Sequence, residues 1–267
     1  MMRGASAEAL AALTEEVRSV RALADAATLG EELFAVAVLV RNDPALRRVA
    51  TDASLPAEVK QGVVRDLLGS QVGEATLDLV ADAVGRRWTA QRDLADSLER
   101  LSEVAIVRSV GAKAGELADE LFGVAQTLQA NPELRDALGN RSRSRADRAQ
   151  LVGTILDGKV LPATVALTRQ ALEGTYRTVP AALAVYREVA AEVAGEQVAT
   201  VRVSEPLRAE DRTRLQQALS RQYGHDVHLN EVVDPSLLGG VRVEIGNDVI
   251  DGTVVNRVDE ARRRLVG

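Results

Sequence analysis

The chain has 267 residues and a formal net charge of −6; 46% of its residues are hydrophobic and 2% are aromatic, which predicts a globular protein whose core of small aliphatic side chains suits close-packed helices. It has no cysteine, which excludes disulfides and thiolate metal sites. It has no apolar run approaching about 18 residues and no apolar leader at its start, so we expect a cytoplasmic protein without a membrane-spanning segment.

Apolar residues at helical spacing dominate the first 114 residues. The Asn42-Asp43-Pro44 stretch breaks the pattern once, and Pro56 opens it again. Six helices are predicted: residues 5–24, residues 29–40, a short helix after Pro44, a helix from Pro56, residues 73–88 and residues 90–114.

The helical pattern then repeats at a fixed distance. The segment Leu-Gly-Glu-Glu-Leu-Phe-Ala-Val-Ala begins at Leu29, and Leu-Ala-Asp-Glu-Leu-Phe-Gly-Val-Ala begins 88 residues later, at Leu117. Pro44-Ala-Leu-Arg47 and Pro132-Glu-Leu-Arg135 are separated by the same offset. The unbroken register predicts an internal duplication of a small helical bundle; the alternative is two unrelated helical runs of similar composition. The helix near 90–114 would close the first bundle and open the second.

The last 73 residues have a different hydrophobic pattern, in which strand-like alternation appears beside helical spacing. Alternating apolar residues predict strands at about 198–203 and 227–232, and residues 210–223 form an amphipathic helix. The predicted fold is therefore mainly α, with two tandem helical bundles and a small C-terminal α/β domain. The domain bounds are 1–105, then 106–194 with the helix near 90–114 shared, and then 195–267.

The most specific stretch is residues 234–253, Asp-Pro-Ser-Leu-Leu-Gly-Gly-Val-Arg-Val-Glu-Ile-Gly-Asn-Asp-Val-Ile-Asp-Gly-Thr. It predicts a turn, a half-buried strand, a tight hairpin turn, a short strand and a further turn, with a helix at about 254–265. We expect its glycines to hold turn geometries that a Cβ would strain, and its two outer aspartates to bond turn amides. The positions that carry the pattern are Asp234, Pro235, Leu238, Gly239, Gly240, Gly246, Asp251 and Gly252.

In residue order, this stretch resembles the C-terminal signature of the δ subunit of bacterial F-type ATP synthases, the homologue of the mitochondrial oligomycin-sensitivity-conferring protein. That family has Ile where this chain has Leu238, and a basic helix that Arg257 and residues 262–264 supply here. Residues from about 90 to 267 resemble a whole δ subunit, including the helix break Asn131-Pro-Glu-Leu-Arg135. The preceding bundle is an extra copy, as in actinobacterial members. The chain is then either an unfused subunit or a fragment of a fusion with the b-type subunit.

The resemblance implies a non-catalytic connector of the peripheral stalk, or stator, at the cytoplasmic face of the cell membrane. It implies no cofactor and no membrane insertion. Its partners would be N-terminal segments of the α subunits and the C-terminal region of the b-type stalk subunit.

In the family, the groove for the α segment lies between the first and fifth bundle helices. These correspond to about 90–108 and 162–176 in the second copy, and to about 5–23 and 73–88 in the first. Two bundles offer two grooves, so the extra copy is expected to bind another α segment or to brace the stalk. The resemblance does not identify the side chains that contact partners.

Two other patterns are weaker. His225 and His228, with Asp226, could be drawn as a metal site, but positions i and i+3 of a strand point to opposite faces, so no metal site is predicted. The run Arg141-Ser-Arg-Ser-Arg145 resembles an RNA-binding motif, but no aromatic residues interleave with it. Because bases stack on aromatic side chains, and because the net charge is negative, we expect a solvated loop and no nucleic-acid partner.

The sequence shows no phosphate-binding glycine loop and no Ser-His-Asp set, so no catalytic or cofactor-binding residue is predicted. Two alternatives remain open. One is a generic helical adaptor of another cytoplasmic complex, for which the match at 234–253 would be coincidence. The other is an enzyme, which would need a pocket with converging polar groups.

Overall fold

The protein divides into a helical unit and a smaller unit that contains a β-sheet. The structure, a computed structural model, describes residues 2–20, 22–140, 142–194, 196–223, 226–237, 239–245 and 248–252. The two compact units are Met1–Ala190 and Ala191–Gly267. The predicted fold class, helical bundle followed by a small α/β domain, is confirmed.

The helices agree with the sequence pattern in order, but some bounds differ. The first helix ends at Ser19 and not at residue 24, and the second begins at Leu23 and not at residue 29. The predicted helix 90–114 ends at Arg108 and is followed by a short 3-10 turn at Gly111–Lys113. The helices are α1 (Ala5–Ser19), α2 (Leu23–Asn42), α3 (Pro44–Thr51), α4 (Ala57–Leu68), α5 (Glu74–Gly85), α6 (Gln91–Arg108), α7 (Ala114–Ala130), α8 (Pro132–Gly139), α9 (Arg145–Leu156), α10 (Pro162–Gln170), α11 (Val179–Ala194) and α12 (Ala209–Tyr223).

Capping residues fix where the short helices begin. Asp43 Oδ1 accepts hydrogen bonds from the backbone N–H groups of Ala45 (2.9 Å) and Leu46 (3.0 Å), and Pro44 occupies the first helical position of α3. Ser144 Oγ accepts from the N–H of Asp147 at 3.1 Å at the start of α9. Both arrangements satisfy backbone donors that a helix N-terminus leaves without partners.

Some helix bounds and contacts recur at the 88-residue offset. The bounds of α3 and α8 differ by 88 residues, as do those of α4 and α9. The Glu32 carboxylate accepts from the N–H of Gly73 and from Thr76 Oγ1, and the Glu120 carboxylate accepts in the same way from Leu161 N–H and Thr164 Oγ1. These contacts agree with the internal duplication predicted from the sequence, which stays an interpretation of the repeat.

Helix α6 is the centre of the helical unit. It packs against α1, α2, α3 and α5 on one side of the repeat, and against α7 and α10 on the other. Thirteen of its 18 residues are buried. The α2–α6 crossing is especially close: a Cβ added to Gly30 would lie 2.5 Å from Ile106 Cγ1 and 3.1 Å from the backbone N of Ile106 and O of Ser102. The helix shared in the predicted fold therefore contacts both repeated segments.

The second unit is a four-stranded sheet with one helix. Its strands are β1 (Glu196–Val203), β2 (Asp226–Val233), β3 (Val241–Ile245) and β4 (Asp248–Asp251), in the spatial order β2-β1-β3-β4. β1 and β2 are parallel and joined through α12, whereas β1–β3 and β3–β4 are antiparallel. Val243 and Ile245 are buried in its core, and Arg242 and Glu244 are only half-buried, as the predicted alternation requires. The helix predicted at 254–265 lies outside the described residues.

Candidate functional site

The turn before β3 is held by Asp234. Its Oδ1 accepts from the N–H of Ser236 (3.0 Å) and from Ser236 Oγ (2.6 Å). These bonds stabilise the carboxylate and lower the pKa of Asp234. The N–H of Asp234 donates to the carbonyl of Val203 at 2.7 Å, which joins the turn to the end of β1. The exposed Pro235 lies within this turn.

The chain then reverses at two glycines with left-handed backbone. Gly239 has φ +113° and Gly240 has φ +90°, values that side chains with a Cβ rarely adopt. Gly252 N–H donates to the carbonyl of Val241 at 2.9 Å. Asp251 was expected in a turn, but it is the last residue of β4 and lies opposite Arg242, because the hairpin pairing extends one residue further than predicted. Leu238 and Gly246 lie outside the described residues.

Replacing Gly240 by valine is expected to destabilise the sheet unit by about 1–3 kcal/mol, because a β-branched residue is strained at this φ. Hydrogen exchange should show faster opening of the β1 and β3 amides and unchanged protection in α6. Leu237→Val, three residues earlier and with negative φ, is the matched control and should leave β1 and β3 unchanged. Equal loss of protection in both variants would contradict the role of backbone conformation.

The second-copy groove helices, α6 and α10, meet at Ser102. The Ser102 hydroxyl lies 2.6 Å from the carbonyl oxygen of Gly30 and 3.0 Å from Gln170 Oε1. Since Gly30 is on α2, three helices meet at this point. The seam between α6 and α10 is therefore adjoined by α2, a helix from the part of the chain that precedes α6.

The first-copy groove helices, α1 and α5, are joined by charged side chains. Arg86, just after α5, contacts Glu16 on α1 (3.1 Å) and Asp82 on α5 (2.5 Å). Burial, followed by the nearby charge of Asp82, raises the pKa of Glu16. The face of α1 that carries Leu13 and Val17 is buried, and Ala11 on another face is exposed.

Three of the clefts on the described helical unit include large apolar side chains. The first, of about 540 Å³, separates α2 from α9 and α10; Phe34, Ile106, Val165 and Ala166 are among its apolar lining residues. The second, of about 320 Å³, lies between α7, α8 and α9, and includes Val124 and Leu134. The third, of about 810 Å³, lies between α1, α6 and α11, and includes Leu10, Asp96 and Val185. Apolar clefts between helices suit an amphipathic partner helix.

A buried polar cluster connects α2, α6 and the segment after α10. Arg41 on α2 forms an ion pair with Glu99 on α6, whose side chain is 3% exposed. The same carboxylate accepts from the N–H and hydroxyl of Thr175. One turn further, Glu103 accepts from Tyr176 OH (2.9 Å) and from Arg100 Nη1 (3.1 Å). The sequence pattern did not identify this cluster, although two carboxylates spaced i, i+4 among apolar residues of α6 were a visible signal.

Burial raises the pKa of Glu103 to about 7, against opposing effects of Arg100 and Tyr176. In the unfolded chain this carboxyl titrates near 4.5, so between these values the folded state holds a proton that the unfolded state has lost. The stabilisation from this proton is complete below about pH 4.5 and disappears as the pH rises through about 7.

We expect Glu103→Gln to remove this pH dependence, on the order of 2–3 kcal/mol of unfolding free energy between pH 4.5 and 8. Denaturant unfolding at a series of pH values measures it. Glu116→Gln, at a half-exposed carboxylate on α7, should keep the wild-type slope. A Glu103→Gln slope equal to the wild-type slope would show that the carboxyl titrates alike in both states.

The residues weighed for other chemistry are not brought together. Arg145 is the first residue of α9 and pairs with Glu173 at 3.0 Å, so it is part of a helix start and not of the expected loop. His228 is in β2, and His225 lies outside the described residues. In the part of the chain that is described, no group of three or more His, Asp or Glu residues could hold a metal, and no helix is long and apolar enough to cross a membrane.

The family model and the similar sequences found for this chain all name the same subunit. The family model described as "ATP synthase delta (OSCP) subunit" matches residues 101–265. A relative from Nocardioides sp., "ATP synthase subunit delta", is 54% identical over 100% of this chain and 98% of its own length. A relative of the same name from Streptomyces griseus is 38% identical over the full length of both chains. The first 100 residues thus lie outside the family model but are shared with these relatives.

A chain in the cryo-EM structure of the Toxoplasma gondii mitochondrial ATP synthase hexamer covers 58% of this chain and 97% of its own length, at 19% identity and a TM-score of 0.33. This similarity is too low to indicate either the fold or the function. The family model spans more than half of the chain, and the Nocardioides relative matches all of it. The chain belongs to the ATP synthase delta (OSCP) subunit family, in the form found in actinobacteria.

Proposed function

We propose that the chain is a non-catalytic connector in the peripheral stalk of the F-type proton-translocating ATP synthase, at the cytoplasmic face of the membrane. The observation that carries this proposal is the full-length match to "ATP synthase subunit delta" relatives. The connector would hold the catalytic head still against the rotor. This task needs tight static contacts and no turnover.

The presence of two compact units supports the proposal that each unit binds a different partner. The helical unit, with its clefts between helices, would hold N-terminal segments of the α subunits. The sheet unit, with the signature turn at Asp234 and Gly240, would hold the C-terminal region of the b-type stalk subunit. Within the helical unit we keep the two tandem bundles, at 1–105 and 106–194 with α6 shared, as part of the proposal.

The test uses two labelled probes, an α-subunit N-terminal peptide and a C-terminal segment of the b-type subunit, each titrated against the full chain. Both should bind saturably. Gly240→Val should weaken binding of the b-type segment and leave binding of the α peptide unchanged, and Leu237→Val should change neither. If neither probe binds the folded wild-type chain, the generic helical adaptor becomes the better explanation.

A further inference from the structure

Helix α2 changes the groove that the family resemblance implies. On α6, Ser102 and Ile106 lie against Gly30 of α2 at backbone distance, and Ser102 Oγ also lies 3.0 Å from Gln170 Oε1 of α10. Because thirteen of the 18 residues of α6 are already buried, little of α6 is left for a partner. A partner helix therefore cannot lie between α6 and α10 while α2 is in place.

The cleft beside this junction has one wall from each repeated segment. Glu31 and Phe34 of α2 form one wall, and Val165 and Ala166 of α10 belong to the other, with Ile106 of α6 also in the lining. Phe34, Ile106 and Val165 are 7%, 3% and 6% exposed, so the base of the cleft is a closed apolar surface. An apolar base of this kind suits the apolar side chains of a helix lying across the mouth.

The α2 wall carries an exposed carboxylate, and the opposite wall carries two arginines that are each paired with a carboxylate. Glu31 is exposed on the α2 wall, whereas Arg169 of α10 and Arg145 of α9 lie on the opposite wall. Asp157 lies 3.4 Å from Arg169, and Glu173 lies 3.0 Å from Arg145, and both arginines remain substantially exposed. The exposed Glu31 favours an amphipathic partner helix with a basic residue on the side that meets α2.

We propose that α2 and α10 form the groove for the α-subunit N-terminal helix in this chain, so that the extra N-terminal bundle supplies one wall of the binding site. This proposal rests on the proposed function and goes beyond it, because it assigns a single composite groove in place of one groove per bundle. Residues 101–265, which the family model covers, contain the α10 wall but lack the α2 wall.

The first test fills the groove in the full chain. Ala166 is half-buried in the α10 wall, and Ala11 is exposed on α1 in the third cleft. Ala166→Trp should raise the Kd of a labelled α-subunit N-terminal peptide by about tenfold or more, the loss expected for blocking a central contact. Ala11→Trp should leave the Kd unchanged.

The outcomes separate this inference from the proposed function. If Ala11→Trp weakens binding and Ala166→Trp does not, the groove belongs to the first bundle and the inference is overturned. Absence of peptide binding by the wild-type chain defeats the proposed function itself. Unchanged circular dichroism and melting temperature show that each variant remains folded.

The second test concerns the α2 wall. Glu31→Arg should raise the Kd by about three- to tenfold at low salt, with less effect at high salt, as a charge at the rim of an interface does. A peptide with its facing basic residue changed to Glu should recover affinity for this variant. Glu58→Arg, an exposed position on α4, is the matched control. An effect of Ala166→Trp without any effect of Glu31→Arg would remove α2 from the site and overturn the composite groove.

Discussion

Replacing Gly30 by alanine is expected to lower the unfolding free energy of the helical unit by about 2–3 kcal/mol, the cost of overpacking a close contact. The added Cβ would lie 2.5 Å from Ile106 Cγ1 and 3.1 Å from two backbone atoms of α6. The Ile106 side chain has some freedom to move, but the backbone of α6 does not. The two helices must therefore separate, which opens the centre of the unit.

Gly123→Ala is the matched control for this prediction. Gly123 is also in a helix interior, and a Cβ added there meets nothing within 4 Å. Alanine at this position should stabilise α7 by about 0.4–1 kcal/mol, because it restricts the unfolded chain. Urea unfolding followed by far-UV circular dichroism measures both effects. If both substitutions stabilise the protein, α2 and α6 do not cross at backbone distance.

The second large effect is expected for Arg41→Met. Methionine has a similar length but no charge, so the carboxylate of Glu99 would remain buried without its cation. Breaking a buried ion pair in this way costs about 3–5 kcal/mol. The N–H and hydroxyl of Thr175 still donate to Glu99, which places the expected loss at the lower end of that range.

The double variant Arg41→Met/Glu99→Gln should lose less stability than Arg41→Met alone, because the neutral amide no longer needs a cation. Arg18→Met is the control at an exposed pair, where Arg18 lies 2.8 Å from Glu15. Exposed pairs contribute about 0–1 kcal/mol. Purely additive losses in the double variant would show that Arg41 and Glu99 act independently.

The order and type of the elements could be predicted from the sequence because each carries a local signal. Pro44 and Asp43 mark the start of α3, and the alternation around Val243 marks β3. The repeat at an offset of 88 also placed the helix near 90–114 between two similar segments. Such signals need only residues close together in the chain.

The position of α2 could not be predicted, because it depends on contacts between residues far apart in the chain. From its neighbours in the sequence, Gly30 is only a residue with low helix propensity. Its absence of a side chain matters because Ser102 and Ile106, about 70 residues away, approach its backbone closely. Glu99 was equally ambiguous, since a carboxylate on a helix is usually solvated. The family resemblance implied a groove of α6 and α10, but it described a chain without the extra bundle.

The contacts of α6 with helices on both sides of it in the sequence have a mechanical consequence. Two bundles joined by a linker would bend at the linker under a sideways load, and each would yield separately. Here one continuous hydrogen-bonded rod runs through both sets of contacts, so a force on either set is carried along the same backbone. If α2 separates from α6, residues of α6 that α10 also contacts become exposed. The helical unit should therefore unfold in one step under force and transmit a load as a rigid element.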